Sequence, residues 1–421
     1  MKRDRLLQLF FVFLSTAFTA RKDSSYLSDF YQFWEDVKNN YAYFDKKHTD
    51  WDKVKTYYKE AAEAASSRDE LISVLEHASE ELYDNHFNLN VNLKTSTRLV
   101  PSGLDLWAEY KNGKAIITEI RPGFSVYKAG IKPGMIITGI NNTGIDEAIN
   151  KRIGKCISLK DDEVKSFVLR QLLAGDYVSG RILTLVSEGK QFIVKPDFPD
   201  GNLTDKHQYS SLLESNIFEK DIGYIKFNNS LGNNDLISQF DSVLLQFKTT
   251  KALILDLRET PGGGNSTVAR GIMSRFINRE LPYQKHLIPA EEKEYGVRRS
   301  WLELVTPRGP FTYNNLVILL VNHWTGSMGE GIAIGFSGLN RATIVGTKMA
   351  GLNGAVDGFS TKTNKIPYSF PTEQVYHING TPREDYTPDI LVDLLNPVYR
   401  NTPDPILEVA MEYIRKNEGI H

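Results

Sequence analysis

The chain has 421 residues, of which 41% are hydrophobic and 24% are charged. This length predicts more than one domain, because single hydrophobic cores stop growing at roughly 250 to 300 residues, and the ordinary apolar fraction excludes wholesale disorder. The 50 basic and 52 acidic side chains leave a net charge of −2. That balance excludes the basic footprint of a protein that binds nucleic acid or an anionic membrane surface, so we expect neither partner.

The first twenty residues combine a basic start with an apolar run. Lys2, Arg3 and Arg5 precede the segment 6–20, which is too short to cross a bilayer comfortably. This pattern is typical of a secretory signal peptide, so we expect residues 1–20 to direct export to the periplasm or cell envelope. Membrane association is expected only if that segment is retained. The single cysteine, Cys156, allows no internal disulfide, and we expect it to be a buried apolar residue.

Residues 26–92 predict an N-terminal helical domain. Apolar side chains recur at spacings of three and four, as at Phe30, Phe33, Trp34 and Val37. The segment 39–50 interrupts this periodicity. The sequence Ser67-Arg-Asp-Glu70 is typical of a capping box that begins another helix.

Residues 95–200 predict a β-rich domain. Two short β-type runs, 104–110 and 115–120, precede a stretch in which Gly130 and Gly134 mark turns before a buried strand. This stretch resembles PDZ domains, which bind peptides by strand addition and hold the terminal carboxylate with backbone amides. The resemblance makes Gly103 and Leu104 the candidate carboxylate loop. Asp105 adds a negative charge there, and the alternative is a PDZ fold that acts as a regulatory lid.

Residues 202–421 alternate apolar strands with amphipathic helices, which predicts an α/β core with a largely parallel sheet. The expected strands are 222–227, 251–257, 315–322 and 342–347, and the expected helices are 233–247, 267–278, 329–339 and one that begins at Asp404-Pro405. The whole chain is therefore expected to be a multidomain α/β protein.

Two loops of this core follow buried strands, where open α/β sheets bind ligands. The first contains Gly262-Gly263-Gly264, whose backbone can approach a ligand closely and direct amides at a negative charge. The second contains Thr325-Gly-Ser327-Met-Gly-Glu330 and runs from a strand directly into a helix. A serine at a helix N-terminus is a natural nucleophile, but Ser-x-x-Glu is also a capping-box pattern.

The two loops together resemble the core motifs of the tricorn and C-terminal processing serine peptidases. The matching residues are Asp256, Leu257, Arg258, Gly262, Gly263, Thr325, Ser327 and Glu330, whereas Thr260 replaces the family's asparagine. The resemblance implies a crotonase-like catalytic core in which Ser327 attacks the carbonyl. It also implies an oxyanion hole made by amides near Gly263 and of Met328.

The resemblance also suggests where the general base lies. Leu352 stands where part of the family has a catalytic lysine, and Lys348 is four residues early. The tricorn branch uses a histidine in an Asp-x-His motif, which here is Asp84-Asn85-His86, so His86 is the candidate base. The same branch has a late carboxylate behind the histidine. Glu384 is the candidate for it, with Asp385 as a rival, and His323 and His377 are the other candidate bases in the core.

The function expected from these motifs is that of an exported serine endopeptidase acting on unfolded or extended polypeptides, with no metal or cofactor. One alternative is an inactive peptide-binding protein of the same architecture. Another is a crotonase-like enzyme acting on acyl thioesters. The sequence leaves the oligomeric state open.

Overall fold

A computed structural model of the chain describes residues 24–197, 209–399 and 401–418. The predicted signal segment, residues 1–20, lies outside the described residues. Within the described ranges, none of the helices combines the length and apolar character that crossing a membrane requires.

Three helices follow one another at the start of the described chain, namely α1 (Ser24–Asn40), α2 (Trp51–Ala64) and α3 (Arg68–Glu80). The predicted start of α3 is confirmed, because the Ser67 side chain accepts a hydrogen bond from the Glu70 amide at 3.2 Å. The reciprocal bond is displaced by one residue, since the Glu70 carboxylate accepts from the Ser66 amide at 2.7 Å.

The first sheet is antiparallel and has the order β1-β2-β3-β5-β6, with β4 paired to β3. Its strands are β1 (Leu106–Lys111), β2 (Lys114–Ile120), β3 (Ile136–Ile140), β4 (Thr143–Gly144), β5 (Leu183–Ser187) and β6 (Lys190–Val194). The helices of this region are α4 (Ser125–Lys128), α5 (Ile145–Arg152) and α6 (Asp162–Ala174). Asn112 and Gly113 both have positive φ, as a tight two-residue hairpin turn requires.

The remaining strands are β7 (Leu213–Phe218), β8 (Ile222–Phe227), β9 (Ala252–Asp256), β10 (Leu281–Ile288), β11 (Arg299–Val305), β12 (Leu316–Val321), β13 (Thr343–Gly346), β14 (Ala355–Ser360), β15 (Pro367–Tyr376) and β16 (Ile390–Leu391). The helices are α7 (Leu236–Gln246), α8 (Ser266–Met273), α9 (Pro289–Tyr295), α10 (Met328–Gly338) and α11 (Pro405–Glu418). The second sheet has the order β16-β13-β12-β9-β8-β7 and is parallel except between β7 and β8, as predicted for the core.

A third, antiparallel sheet with the order β11-β10-β15-β14 was not predicted from the sequence. Its outer strands, β11 and β14, are mostly exposed and carry mixed polar residues. They therefore lack the continuous apolar run that marked the strands of the second sheet.

The third sheet shares a hydrophobic core with the N-terminal helices. Tyr368 and Phe370 of β15 are fully buried in the same cluster as Phe33 of α1, and the rings of Phe33 and Tyr368 meet edge to face at 5.1 Å. Beyond α3, Asn88 pairs with Ser369 through two backbone hydrogen bonds of 2.9 and 2.8 Å. This packing places the segment after α3 beside β15, in the C-terminal half of the chain.

Candidate active site

Ser327 lies in a strained turn between β12 and α10. Its φ of 51° and ψ of −110° belong to a region that non-glycine residues rarely adopt and that costs about 1 to 3 kcal/mol. The backbone amide of Ser327 donates to the Glu330 carboxylate at 2.8 Å. The turn therefore presents the hydroxyl at the N-terminus of α10, where helix amides are free to meet a negative charge.

Glu330 connects this turn to the loop that follows β13. Its buried carboxylate accepts hydrogen bonds from the amides of Gly351 at 2.9 Å and Leu352 at 3.3 Å, besides that of Ser327. Burial raises the pKa of Glu330 to about 7. The capping interpretation and the nucleophile interpretation of Ser-x-x-Glu are therefore compatible, because the Glu330 carboxylate bonds to the backbone amide of Ser327 and not to its hydroxyl.

The ring of His86 lies between Ser327 and Asn353. Its Nε2 is 3.1 Å from Ser327 Oγ, and its Nδ1 is 2.6 Å from the carbonyl oxygen of Asn353. Because a carbonyl can only accept, Nδ1 carries the proton, and Nε2 of the neutral ring is left to accept from the hydroxyl. Burial, with the nearby Arg383 guanidinium adding to it, lowers the pKa of His86 to about 4. The ring is therefore neutral at pH 7.

Asp84 connects His86 with Asn353. The buried carboxylate accepts from the His86 backbone amide at 2.9 Å, from Tyr41 Oη at 2.6 Å and from Asn353 Nδ2 at 2.9 Å. Asn353 thus contacts His86 with its carbonyl and Asp84 with its side chain. The Asp-x-His motif therefore supplies both the ring and the group that fixes its surroundings.

Arg383 fixes the segment that carries the Asn353 carbonyl. Its guanidinium is buried, and Nη2 donates to the carbonyls of Leu352, at 3.1 Å, and of Gly354. The two residues next to Asn353 in the chain are thereby bonded to one guanidinium group. Sequence reasoning missed Arg383, because a single arginine in a polar stretch has no local pattern that distinguishes it from a surface residue.

Gly263 is packed against Ser327. Its φ is +65°, and a Cβ at this position would lie 2.5 Å from Ser327 Cβ and 3.3 Å from the Met328 nitrogen. Only glycine fits this backbone conformation at such close approach. The Gly263 amide donates to the Thr260 carbonyl at 3.1 Å. The structure thus brings Gly263, Met328 and Ser327 together at one point.

Thr260, which replaces the family's asparagine, joins the two loops. It forms an isolated parallel bridge with Thr325, and its hydroxyl donates to the Leu257 carbonyl at 2.7 Å. The Thr325 hydroxyl donates to the same carbonyl at 3.1 Å. Thr260 therefore lies where the two loops run side by side, and its hydroxyl shares the Leu257 carbonyl with Thr325.

Glu384 and Asp385 both contact Lys46. The mostly buried Glu384 carboxylate lies 2.8 Å from Lys46 Nζ, and the exposed Asp385 carboxylate lies 3.1 Å from the same atom. Glu384 was expected behind His86, and the group bonded directly to His86 Nδ1 is the Asn353 carbonyl. The catalytic role of Glu384 stays a prediction, and of the two carboxylates it is the more deeply buried.

The rival candidates for the base are engaged elsewhere. His323 Nδ1 lies 2.5 Å from the Glu119 carboxylate, and His377 Nδ1 accepts from the Asn379 amide at 3.0 Å. Lys348 is exposed. Among the candidate bases, His86 is the one that the structure brings to the Ser327 hydroxyl.

The amides of the candidate carboxylate loop are already bonded within that loop. Gly103 donates to the Leu99 carbonyl at 2.5 Å, and Leu104 donates to the Pro101 carbonyl at 3.1 Å. Capture of a peptide carboxylate by these amides would require both bonds to break. Across residues 24–197, 209–399 and 401–418, no group of three histidine, cysteine or carboxylate side chains is arranged to hold a metal ion.

Family models match two parts of the chain. The model described as Peptidase family S41 matches residues 221–392, and the Tricorn protease C1 domain matches residues 23–79. The chain contains a domain of Peptidase family S41. In this S41 chain the first match contains Ser327 and both loops, and the second contains the three N-terminal helices up to Ser79.

Two curated relatives agree with this assignment. A protein of Sulfurisphaera tokodaii, named as a Tricorn-like protease C-terminal subunit, is 23% identical over 406 residues, covering 92% of this chain and 43% of the relative. The Tricorn protease of Thermoplasma volcanium is 22% identical over 407 residues, covering 90% of this chain and 35% of the relative. The S41 chain therefore spans less than half the length of these curated relatives.

Solved structures share the fold. Mature CPAF in complex with lactacystin has a TM-score of 0.58 at 14% identity, covering 94% of this chain and 97% of that chain. The photosystem II D1 C-terminal processing protease has a TM-score of 0.54 at 15% identity, covering 88% of this chain and 94% of that chain. At these identities the likeness concerns the fold, a multidomain α/β arrangement with an S41 peptidase core.

Proposed function

We propose that this chain is a serine endopeptidase in which Ser327 is the nucleophile and His86 is the general base. The observation that carries the proposal is the 3.1 Å approach of His86 Nε2 to Ser327 Oγ, across 241 positions of sequence. A nucleophile within hydrogen-bond reach of a base that is itself oriented by a third group is the arrangement that activates serine hydroxyls. Here the third group is the Asn353 carbonyl.

The proposed reaction is acyl transfer in two stages. Ser327 Oγ forms a bond to the substrate carbonyl carbon while its proton passes to His86 Nε2. The tetrahedral intermediate then loses the amine, which takes that proton from the imidazolium. A water molecule repeats the sequence on the acyl-enzyme, with His86 first accepting the water proton and then returning a proton to Ser327 Oγ.

The developing oxyanion needs backbone donors. The Met328 amide opens α10 next to the nucleophile, and Gly263 is close enough to make the second donor. The Gly263 amide would then share or exchange its bond to Thr260. In this assignment Glu384 belongs to the charged surroundings of the base, and Asp385 remains its exposed neighbour.

A serine-reactive phosphonate tests the proposal. Wild type should be labelled on Ser327 and should cleave a casein-type extended substrate, whereas Ser327→Ala should show neither activity. His86→Gln should lower labelling by at least about 100-fold, because the proton acceptor is lost. A folded wild type that binds extended peptides without labelling or cleavage would instead identify an inactive peptide-binding protein. Binding of coenzyme A would favour the thioester alternative.

We further propose that the substrates are unfolded or extended polypeptides encountered outside the cytoplasm. Residues 95–200 form the PDZ-like module in this proposal, and residues 202–421 form the crotonase-like core. The basic start and apolar run of residues 1–20 support export. Cell fractionation tests it, since exported protein should be recovered from the envelope or periplasm with its N-terminus shortened near residue 20.

A further inference from the structure

A buried carboxylate of the first sheet contacts the loop that carries Ser327. Glu119 lies on β2 and is 4% exposed. Its carboxylate accepts hydrogen bonds from His323 Nδ1 at 2.5 Å and Thr347 Oγ1 at 2.8 Å. His323 lies between the end of β12 and Ser327, and Thr347 directly follows β13. One carboxylate therefore ties together the ends of two neighbouring strands of the second sheet.

Aromatic residues reinforce this contact. The ring of Trp107, on β1, stacks on His323 with 4.6 Å between ring centroids and 19° between planes. Trp324 is fully buried within the hydrophobic core of the first sheet, and its indole nitrogen donates to the Leu104 carbonyl at 2.7 Å. The loop that precedes Ser327 is thus inserted into the core of the first sheet.

The glycine-rich loop is held from the same side. Arg121, directly after β2, donates to the Glu259 carboxylate with Nη2 and Oε2 2.8 Å apart, and both residues are buried. Glu259 lies in the loop that also carries Gly263. The first sheet therefore contacts both loops that meet at the nucleophile.

The outer edge of this sheet is covered from within the chain. β1 is an edge strand, and strand addition by a peptide would use its free amides and carbonyls. The Tyr110 amide already donates to Ser166 Oγ of α6 at 2.9 Å. A peptide added here would have to displace α6. The contacts that the first sheet makes outside itself therefore include those with the two loops that carry Ser327 and Gly263, and its edge strand is not open to a peptide.

We infer that Glu119 is a positioning residue for the proposed hydrolysis, which fixes the turn presenting Ser327 through its bond to His323. The strained backbone of Ser327 persists only if its surroundings hold it, and a buried carboxylate paired with an imidazole N–H is a strong and directional support. The first sheet then serves as a brace for the nucleophile. This inference rests on the proposed function of Ser327.

The test is the rate at which a phosphonate modifies Ser327, resolved into the maximal rate and the half-saturating concentration. Glu119→Leu should lower the maximal rate by about 10- to 100-fold with little change in half-saturation, because the nucleophile is misplaced while the binding surface is kept. Glu119→Gln keeps an acceptor oxygen without the charge, so its maximal rate should fall only about 3- to 10-fold. Glu109→Leu, on neighbouring β1, is the matched control and should react like wild type.

Equal maximal rates for wild type and folded Glu119→Leu would overturn the inference while leaving the proposed function intact. If Glu119→Leu does not fold, a Glu119→Gln rate equal to that of wild type has the same meaning. Absence of any reaction in wild type would instead refute the proposed function itself. Circular dichroism and the melting temperature of each variant separate misplacement of the loop from unfolding.

Discussion

At the scale of single residues, the proposed base is oriented by a main-chain carbonyl. The Asn353 oxygen accepts from His86 Nδ1, and it can do so in only one tautomer of the ring, the one that leaves Nε2 free for the serine. A carbonyl carries no net charge, so it stabilises an imidazolium less than a carboxylate would. This agrees with the low pKa of His86, about 4, that burial and Arg383 produce.

Two buried groups have opposite effects on the pH dependence of stability. The pKa of His86 is about 4 in the folded state and near 6.5 when unfolded, so its contribution to stability falls as pH drops through that window. The pKa of Glu330 is about 7 when folded and 4.5 when unfolded, so its contribution falls as pH rises between those values. The two slopes offset each other between roughly pH 4.5 and 6.5, and kinetics therefore reports on His86 more clearly than unfolding does.

We predict that the acid limb of kcat/KM lies well below pH 6.5 in wild type, because His86 stays neutral there. In Arg383→Leu the limb should move to higher pH, since the cation that disfavours the imidazolium is gone. The maximal kcat/KM should fall about 10- to 100-fold, because the carbonyls beside Asn353 lose their tether. A pH series of peptide cleavage measures both effects.

Arg341→Leu is the control for this prediction. Arg341 also donates to backbone carbonyls, those of Phe276 and Tyr313 among them, but it lies beyond the C-terminal end of α10. The Arg341→Leu variant should be less stable than wild type, but the acid limb of its kcat/KM should not shift. An unshifted limb in Arg383→Leu would mean that Arg383 has only a structural role.

At the scale of elements, the site depends on how closely the glycine-rich loop approaches the start of α10. Gly263 has no side chain and a positive φ, and both properties are needed where its Cα lies against Ser327. Thr260 and Thr325 hold the two loops in register. The geometry around Ser327 is therefore set by the two loops that follow the adjacent strands β9 and β12, and by α10, which follows the second loop.

Gly263→Ala should abolish at least about 99% of turnover, because the new methyl group would displace the Ser327 side chain and the adjacent oxyanion donor. The measurement is the cleavage rate of an extended peptide together with the midpoint of urea unfolding. Gly296→Ala is the matched control, since Gly296 has φ +68° and open space around its Cα.

Gly296→Ala should lower the free energy of unfolding by about 1 to 2 kcal/mol, the cost of a left-handed backbone for alanine. Gly263→Ala should lower it further, because its methyl group also clashes with Ser327. Only Gly263→Ala should lose activity. Comparable activity in the two variants would show that the close approach at Gly263 is unimportant for the reaction.

At the scale of the whole molecule, the proposed base, His86, and the proposed nucleophile, Ser327, are 241 positions apart in the chain. The N-terminal helices and the third sheet share one hydrophobic core, and the pairing of Asn88 with Ser369 fixes the segment just after His86. The Phe87 ring packs on Phe370 with 5.3 Å between centroids. Loosening this core should therefore move the base before it unfolds the second sheet.

Phe370→Ala should destabilise the protein by about 3 to 5 kcal/mol and also slow phosphonate labelling of Ser327, because the support beneath His86 is lost. Phe370→Leu should retain most of the wild-type stability and most of the wild-type labelling rate. Urea unfolding and the labelling rate at 25 °C measure them.

Ile414→Ala is the comparison for Phe370→Ala. Ile414 is fully buried in a different cluster, where α11 packs on the second sheet. Its loss should cost about 2 to 5 kcal/mol while the labelling rate of the folded protein is unchanged. Parallel losses of labelling in both variants would indicate a general loss of folded protein rather than displacement of the base.

The sequence by itself determined the local features of this protein. The apolar runs of β8, β9 and β12 and the N-cap Ser67 were predicted to within a residue or two, because burial and capping leave a signature within one turn or one strand. The positions of Ser327 and Gly263 at strand ends followed from the same local patterns. The resemblance to the peptidase family then predicted His86 as the base.

Only the tertiary structure decided what surrounds these residues. Contacts between segments far apart in the chain produce these surroundings. They include the bond of His86 to the Asn353 carbonyl, the bond of Arg383 to the Leu352 carbonyl, the bond of His323 to Glu119 and the strand pairing of the third sheet. Such contacts are made by ordinary polar residues whose neighbours in sequence carry no periodic or motif signal. Their partners are selected by packing and by the need to satisfy buried polar groups, and that selection exists only once the chain has folded.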